Sequence, residues 1–117
     1  MAGEPQADCV FCKIVSGDIP ATVVRKSGRT LAFRDINPQA PTHLLVIPQV
    51  HYANAAELAA AEPEIAAELL VEAGEAAKGE GLESYRLIFN TGADSGQTVF
   101  HAHVHVLGGR KLAEGLV

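Results

Sequence analysis

The sequence is poor in the features that mark several large classes of protein. It has no apolar run near the roughly 18 to 20 residues that cross a membrane, so we expect no membrane-spanning helix. Lysine and arginine number nine against fourteen acidic residues, which gives a net charge of -5. A protein that grips a nucleic-acid polymer needs a basic stripe, so we expect no such partner. A small nucleotide needs only a few donors at one site, and this charge allows it.

The amino-terminal segment also lacks a targeting signal. "MAGEPQADC" does not show the charged-then-apolar pattern of a signal peptide, so we expect a cytoplasmic protein with no membrane partner. With 117 residues and a hydrophobic content of 48%, the chain is suited to one globular domain. We expect that single domain to span residues 1–117, with residues 1–8 as a flexible tail.

Local signals indicate an α+β fold. Pro63 suits the first turn of a long helix, since apolar residues follow it at helical spacing. We expect one or two shorter helices before it: one candidate ends at Gly17, and the other begins at Asn54, which forms a capping-box pattern with Glu57. Strand-like segments occupy residues 21–26, 30–36, 43–48, 85–91 and 101–109. Most are joined too briefly for parallel crossovers, which predicts an antiparallel sheet of about five strands.

Three of the five histidines fall at alternate positions in "TVFHAHVHVLGG". Side chains alternate between the faces of a strand, so His101, His103 and His105 are predicted to share one face. The residues between them, Ala102, Val104 and Val106, are apolar and are predicted to face the core. Such a face has two functional interpretations: three ligands for a catalytic metal, or an imidazole nucleophile with its supports. The preceding "SGQT" favours the second, because a loop of this type aims N–H groups at phosphate oxygens.

Three segments together resemble the histidine-triad hydrolases. "HAHVHVLGG" is similar to that family's signature, and "FRDINPQAPTHLLVIPQVH" is similar to its upstream motif. "FNTGADSGQTVFHAHVHVLGGR" resembles the branch of histidine-triad nucleotide-binding proteins. The resemblance covers about residues 9 to 110. It implies a hydrolase of purine nucleoside 5′-phosphoramidates, active on adenosine or guanosine nucleotides, that needs no cofactor for its chemistry.

The resemblance also implies roles for individual residues. His103 matches the nucleophile, which would form a covalent nucleotidyl-histidine, and His105 matches the residue that contacts the phosphate. His43 and His101 match supporting histidines, and the Thr98 hydroxyl matches a group that helps to protonate the leaving amine. The residues that match nucleotide-binding positions are Asp35 for the ribose, Ile36 beside the base, Asn90, Gly96, Gln97 and Thr98 for ribose or phosphate, and Val10, Phe11, Ile14, Phe33 and Leu45 for the base pocket.

Cys9 and Cys12 form a C-x-x-C pair, which is half of a zinc site. In some members of the wider superfamily, such a pair is completed by two histidines, which here match His51 and His101. The resemblance therefore implies a structural zinc ion held by these four residues. Two other interpretations of the pair remain: reduced, buried thiols, or a redox pair.

Several alternatives stay open at this point. The resemblance implies a homodimer, and it leaves a dinucleoside polyphosphate hydrolase as a second enzyme class, although "LGGR" after the triad favours a phosphoramidase. A nucleotide-binding regulatory module with little catalysis is a third hypothesis. The sequence contains no tryptophan, whereas the animal nucleotide-binding proteins of this type end in a tryptophan-proline-rich tail. Leaving-group preference therefore cannot be inferred from them.

Overall fold

The computed structural model describes residues 3–115. A five-stranded antiparallel sheet has the order β1-β2-β3-β5-β4. Its strands are β1 Val23–Lys26, β2 Thr30–Arg34, β3 Thr42–Pro48, β4 Tyr85–Ile88 and β5 Val104–Gly108. The helices are α1 Val10–Ser16, α2 Ala55–Ala61 and α3 Pro63–Gly79, with one 3-10 turn at Ala93–Ser95. The predicted α+β fold, with one long helix and one or two short ones, is confirmed, and the short helices number two.

The helix boundaries follow the local signals in the sequence. Gly17 ends α1 with a φ of 88°, a conformation that glycine adopts without steric cost, and its N–H donates to the carbonyl oxygen of Ile14. Asn54 caps α2 by accepting a hydrogen bond from the backbone N–H of Glu57 at 2.9 Å. Pro63 occupies the first turn of α3, where its missing N–H has no intrahelical partner to lose.

Strand β3 is buried on both faces and separates two apolar clusters. Leu44 and Val46 belong to the cluster beneath α3, which also contains Leu69. Leu45 and Ile47 belong to the cluster on the other face, beneath α1. This alternation follows from the two-residue period of a strand. The long helix therefore covers one face of the sheet, and the second face, with α1 above it, is left to form the site.

Two arginine–glutamate pairs connect α3 to strands β1 and β2. Arg25 of β1 donates to Glu72 at 2.8 Å, and Arg34 of β2 makes two hydrogen bonds to Glu80 at 2.8 and 3.0 Å. Both arginine side chains are nearly half exposed, so solvent screens each pair and its contribution to stability is small. These pairs set the position of the helix more than they stabilise the fold.

The observed strands are shorter than the predicted ranges at several ends, and two differences change what the backbone contacts. Strand β5 begins at Val104, not at His101, and the N–H of Ala102 donates instead to the carbonyl oxygen of Tyr52 at 2.7 Å. Within the predicted tail, Gly3 exchanges backbone hydrogen bonds with His51 at 2.8 and 3.2 Å. Between residues 3 and 115, none of the helices combines the length and the apolar character that crossing a membrane requires.

Candidate active site

A cavity of about 430 Å³ opens between α1 and the face of the sheet formed by β2, β3 and β5. We call it the site cavity. Ten residues predicted to bind a nucleotide line it: Val10, Phe11, Ile14, Phe33, Asp35, Ile36, Leu45, Thr98, His103 and His105. Its volume lies in the range typical of small-molecule sites, and its lining is mostly apolar with a few convergent polar groups.

His103 presents one ring nitrogen to this cavity. Its Nδ1 lies 2.7 Å from the carbonyl oxygen of His101, and since a carbonyl can only accept, the Nδ1 carries the proton. The Nε2 of the neutral ring then holds the lone pair. Burial lowers the pKa of His103, which keeps the ring neutral near pH 7, and the ring of Phe11 packs edge-on against it with centroids 5.2 Å apart. The result is an oriented, neutral imidazole nucleophile.

A second set of side chains, the carboxylate–imidazole chain, consists of Asp35, His43 and His105. The backbone N–H of Gln39 donates to His43 Nδ1 at 3.0 Å, so the proton of neutral His43 is on Nε2. That Nε2–H lies 2.9 Å from His105 Nδ1 and donates to it, while Asp35 Oδ2 is 3.4 Å away. The proton of His105 is therefore on Nε2.

The electrostatics of this chain favour a neutral donor. Burial lowers the pKa of His105 to about 4, helped by the repulsion that a protonated His105 would meet from the neighbouring imidazoles of His103 and His43 whenever these carry charge. At neutral pH, His105 therefore presents an uncharged Nε2–H beside the nucleophile, with the two ring centroids 5.1 Å apart. This N–H can donate a hydrogen bond to an oxygen that is bonded to the atom attacked by His103.

The loop before β5 brings one predicted residue to the site cavity and leaves others outside its wall. Gln97 is 3% exposed, and its side chain donates to the carbonyl oxygens of Ala53 and Val99 and accepts from the N–H of Gly92. The side chain of Asn90 donates to the Ser95 carbonyl oxygen. The predictions that Asn90, Gly96 and Gln97 contact a nucleotide stay predictions. The observed hydrogen bonds of Gln97 hold the loop that places Thr98 in the cavity wall.

Cys9, Cys12, His51 and His101 gather into a second group, which we call the thiol–imidazole cluster. Their Sγ and Nδ1 atoms all lie within 4.8 Å of one another. The Nδ1 of His101 is 3.4 and 3.6 Å from the two sulfur atoms and 3.2 Å from His51 Nδ1, and Cys12 Sγ is 3.3 Å from His51 Nδ1. A tetrahedral zinc ion with bonds of about 2.0 to 2.3 Å separates its ligand atoms by roughly 3.3 to 3.8 Å. The spacing therefore fits zinc.

The protonation of the cluster fits a metal as well. His101 Nε2 lies 2.8 Å from the carbonyl oxygen of Pro48 and donates to it, so its Nδ1 holds a free lone pair. Burial lowers the pKa of His101 to about 4 and lowers that of His51, which keeps both rings neutral. Cys9 and Cys12 are buried and unbridged. Burial raises the pKa of the Cys12 thiol, although the Gln6 N–H opposes this, and a raised pKa is not typical of a redox-active cysteine.

The structure separates the three alternating histidines. His101 is fully buried in the thiol–imidazole cluster, whereas His103 and His105 face the site cavity. Across residues 3–115, the side chains close enough to share a metal ion form two groups, and neither joins all three of these histidines. A metal centre built from His101, His103 and His105 together is therefore not supported.

Five lining residues of the site cavity were not predicted from the sequence: Ile19, Pro20, Ala21, Arg34 and Val99. The first three lie in the connection from α1 to β1. Their apolar side chains indicated that this connection is partly buried. The sequence did not indicate which part of the molecule the connection packs against. Arg34 and Val99 adjoin predicted residues, and their contribution depends on the path of the backbone.

A model of the HIT domain matches residues 16–112. The chain belongs to the HIT family. Among solved structures, a HIT family hydrolase from Clostridium thermocellum has a TM-score of 0.90 and 39% identity, covering 96% of this chain and 99% of that one. The family assignment confirms the resemblance and makes the chain a relative of hydrolases.

Two curated relatives bear on the two clusters. The purine nucleoside phosphoramidase of Escherichia coli (strain K12) is 39% identical over 107 residues, which cover 90% of each chain. The 14 kDa zinc-binding protein of Zea mays is 50% identical over 107 residues, which cover 88% of this chain and 83% of that protein. One relative is thus named for a reaction and the other for a metal.

Proposed function

We propose that this HIT-family protein hydrolyses purine nucleoside 5′-phosphoramidates at the α-phosphorus, in the manner of the histidine-triad nucleotide-binding branch. The observation that carries the proposal is the state of His103: a buried, neutral ring whose Nδ1–H is held by a carbonyl oxygen and whose Nε2 faces the site cavity. The relative named as a phosphoramidase supports the substrate class. The apolar interior near Phe11 and Phe33 suits a purine ring.

The proposed chemistry proceeds in two displacements. The Nε2 lone pair of His103 attacks the α-phosphorus, the phosphorus–nitrogen bond breaks, and its electron pair leaves on the amine, which takes a proton. The positive charge that develops on the His103 ring is stabilised through Nδ1–H by the His101 carbonyl oxygen. Water then attacks phosphorus and loses a proton to solvent. The bond to Nε2 breaks, its electron pair returns to Nε2, and the nucleoside monophosphate leaves with the neutral imidazole restored.

The neighbouring polar groups have distinct roles in this scheme. The Nε2–H of His105 donates to a phosphate oxygen, and His43 fixes the orientation of His105 through their 2.9 Å hydrogen bond. Asp35 has one carboxylate oxygen bonded to the Asn37 N–H and sits in the cavity wall, where it can accept from the ribose hydroxyls. The Thr98 hydroxyl, also in the wall, can relay a proton to the leaving amine.

We also propose that the thiol–imidazole cluster binds one structural zinc ion. The donor set of two sulfur and two nitrogen atoms, their spacing and the relative from Zea mays support this. Zinc would hold His101, and the backbone of His101 carries the carbonyl oxygen that orients His103. The metal then stabilises the site without taking part in the reaction. Reduced thiols are typical of the cytoplasm, where we propose that the protein works.

We propose a homodimer that forms along β4, which lies at the edge of the described sheet. Edge strands leave unpaired backbone groups, and an exposed apolar set lies on β4 and the neighbouring α3: Leu70, Val71 and Tyr85. Analytical ultracentrifugation would report two chains per particle. A monomer at micromolar concentration would refute this part of the proposal.

The function is tested by the release of AMP from adenosine 5′-phosphoramidate. We expect turnover by the wild type and a loss of about 10⁴-fold or more in His103→Ala, because the nucleophile is removed. The surface variant Glu83→Gln serves as the control and should match the wild type. Brief treatment with a chelator should leave turnover largely intact while the fold persists. A wild type that releases no AMP would refute the phosphoramidase proposal, and dinucleoside polyphosphates would then be tried.

A further inference from the structure

A second cavity, which we call the side groove, adjoins the site cavity. Its volume is about 530 Å³. It shares Val10, Thr98 and Val99 with the site cavity, so these three residues form the ridge between the two. The proposed function uses the site cavity for the nucleotide. It uses Cys9 and His51, which form part of the groove wall, for zinc, and it gives the open space of the groove no role.

The position of the ridge determines what could reach the groove. His103 and Thr98 both line the site cavity, and Thr98 alone among the polar side chains lines the side groove as well. In an in-line displacement, the leaving group departs on the side of phosphorus opposite the nucleophile. Because Thr98 lines both cavities, a substituent on phosphorus that extends past Thr98 would enter the side groove.

The lining of the groove has a definite chemistry. Phe100 is 50% exposed and Val10 is 42% exposed, so both present apolar surface to water at this point. Asp8 is the one carboxylate in the lining. Within residues 3–115 its side chain has neither a hydrogen bond nor an ion pair, although its charge acts to raise the pKa of the nearby Cys12 and His51. An unpaired carboxylate beside an aromatic ring complements a ligand that has an apolar arm and a positive end.

We infer that the side groove is a subsite for the leaving amine, and that it favours amines with an alkyl or aromatic arm that ends in a positive charge. This inference rests on the proposed function, because the arm must be attached to the phosphoryl group that His103 attacks. Phe100 and Val10 would cover the arm, and Asp8 would pair with the charge. Both Asp8 and Phe100 are specificity residues in this account and take no part in bond breaking.

The test uses four adenosine 5′-phosphoramidates: the unsubstituted compound and those with hexyl, aminohexyl or carboxypentyl groups on nitrogen. For each substrate, kcat/KM is measured for the wild type, Asp8→Asn, Phe100→Ala and the surface control Glu83→Gln. Comparing each variant with the wild type on the same substrate cancels the inherent reactivity of the bond. Asp8→Asn should reduce the preference for aminohexyl over carboxypentyl by about two- to five-fold. Phe100→Ala should reduce the preference for hexyl over the unsubstituted compound by about three- to ten-fold.

The outcomes separate this inference from the proposed function. If both preferences are the same in the variants as in the wild type, while the wild type releases AMP from the unsubstituted compound, then the subsite is wrong and the function stands. If the wild type releases AMP from none of the four compounds, the function fails and the subsite fails with it. Glu83→Gln should keep every preference of the wild type, and a change there of the size seen in Asp8→Asn would also overturn the inference.

Discussion

Two clusters of side chains in this protein are each compact enough to hold a metal ion, yet their hydrogen bonds differ. In the thiol–imidazole cluster, the Nε2–H of His101 is bound by the Pro48 carbonyl oxygen, which leaves its Nδ1 lone pair among two sulfur atoms and a second imidazole. In the carboxylate–imidazole chain, the 2.9 Å contact between His43 Nε2 and His105 Nδ1 already contains a proton. These two nitrogen atoms share a hydrogen bond, so neither offers a free lone pair to a metal ion.

This difference shows that protonation, more than proximity, separates a metal site from a proton-carrying site. In each cluster a backbone group fixes the tautomer: the Pro48 carbonyl oxygen for His101, and the Gln39 N–H for His43. The Pro48 carbonyl oxygen accepts from His101 Nε2–H, so the lone pair on His101 Nδ1 faces the other members of its cluster. The Gln39 N–H donates to His43 Nδ1, so the proton on His43 Nε2 faces His105. His103 lies between the two clusters and depends on both, on one side through the His101 carbonyl oxygen and on the other through its neighbour His105.

The largest expected effect comes from breaking the thiol–imidazole cluster. Cys12→Ser should abolish stoichiometric zinc binding and lower the free energy of unfolding by about 3 kcal/mol or more, because a structural zinc site contributes directly to folding. Zinc per chain and the thermal midpoint, with and without added zinc, are the measurements. His43→Gln, which alters only the other cluster, is the control and should keep its zinc. Full zinc content in Cys12→Ser would contradict the assignment.

An intermediate effect is expected from the carboxylate–imidazole chain. His43→Ala should lower kcat by about 10- to 100-fold, because His105 loses the hydrogen bond that orients it. His43→Gln should recover much of that loss, since an amide can accept from the Gln39 N–H and donate to His105. Zinc content should stay unchanged in both. A loss of zinc in His43→Ala, or an unchanged kcat, would contradict the account in which one cluster binds zinc and the other orients His105 for catalysis.

The effect that is smallest at neutral pH concerns acid stability. The pKa of His105 is lowered to about 4 by burial and by the charges of His103 and His43, whereas an unfolded histidine titrates near 6.5. Between these values the unfolded chain binds more protons, so the free energy of unfolding falls as the pH decreases from about 6.5 to about 4. His105→Asn should weaken this dependence, and Thr98→Ala, which removes no titratable group, should keep it. Denaturant unfolding across this pH range is the measurement, and equal slopes in all three proteins would count against the account.

Much of the fold could be predicted because its signals are local. The Gly17 end of α1, the Asn54 cap of α2 and Pro63 at the start of α3 each depend on a few neighbouring residues. The start of β5 could not be predicted in this way. Residues 101–103 have the pattern of a strand, but the side chain of His101 is directed into the thiol–imidazole cluster and the N–H of Ala102 bonds to Tyr52. Both partners are about fifty or more residues away.

The predictable part of the site is its inventory of residue types. The resemblance placed His103, His105 and Asp35 in one cavity, where the structure also has them. The sequence could not show that the Gln97 amide is fully engaged by backbone groups, because those groups belong to residues of any type. Nor could it show which nitrogen of each histidine carries the proton. That choice is made by carbonyl oxygens and N–H groups whose positions follow only from the fold.

The central claim is that His103 forms a covalent bond to phosphorus and that the metal does not take part. It is tested most directly by rapidly quenching the zinc-loaded and zinc-depleted protein during turnover of adenosine 5′-phosphoramidate and mapping the modified residue by mass spectrometry. We predict an adenylyl group on His103 in both samples, provided that the depleted protein stays folded. Rapid turnover with no adduct on any histidine, lost at once when zinc is removed from a folded protein, would contradict the account.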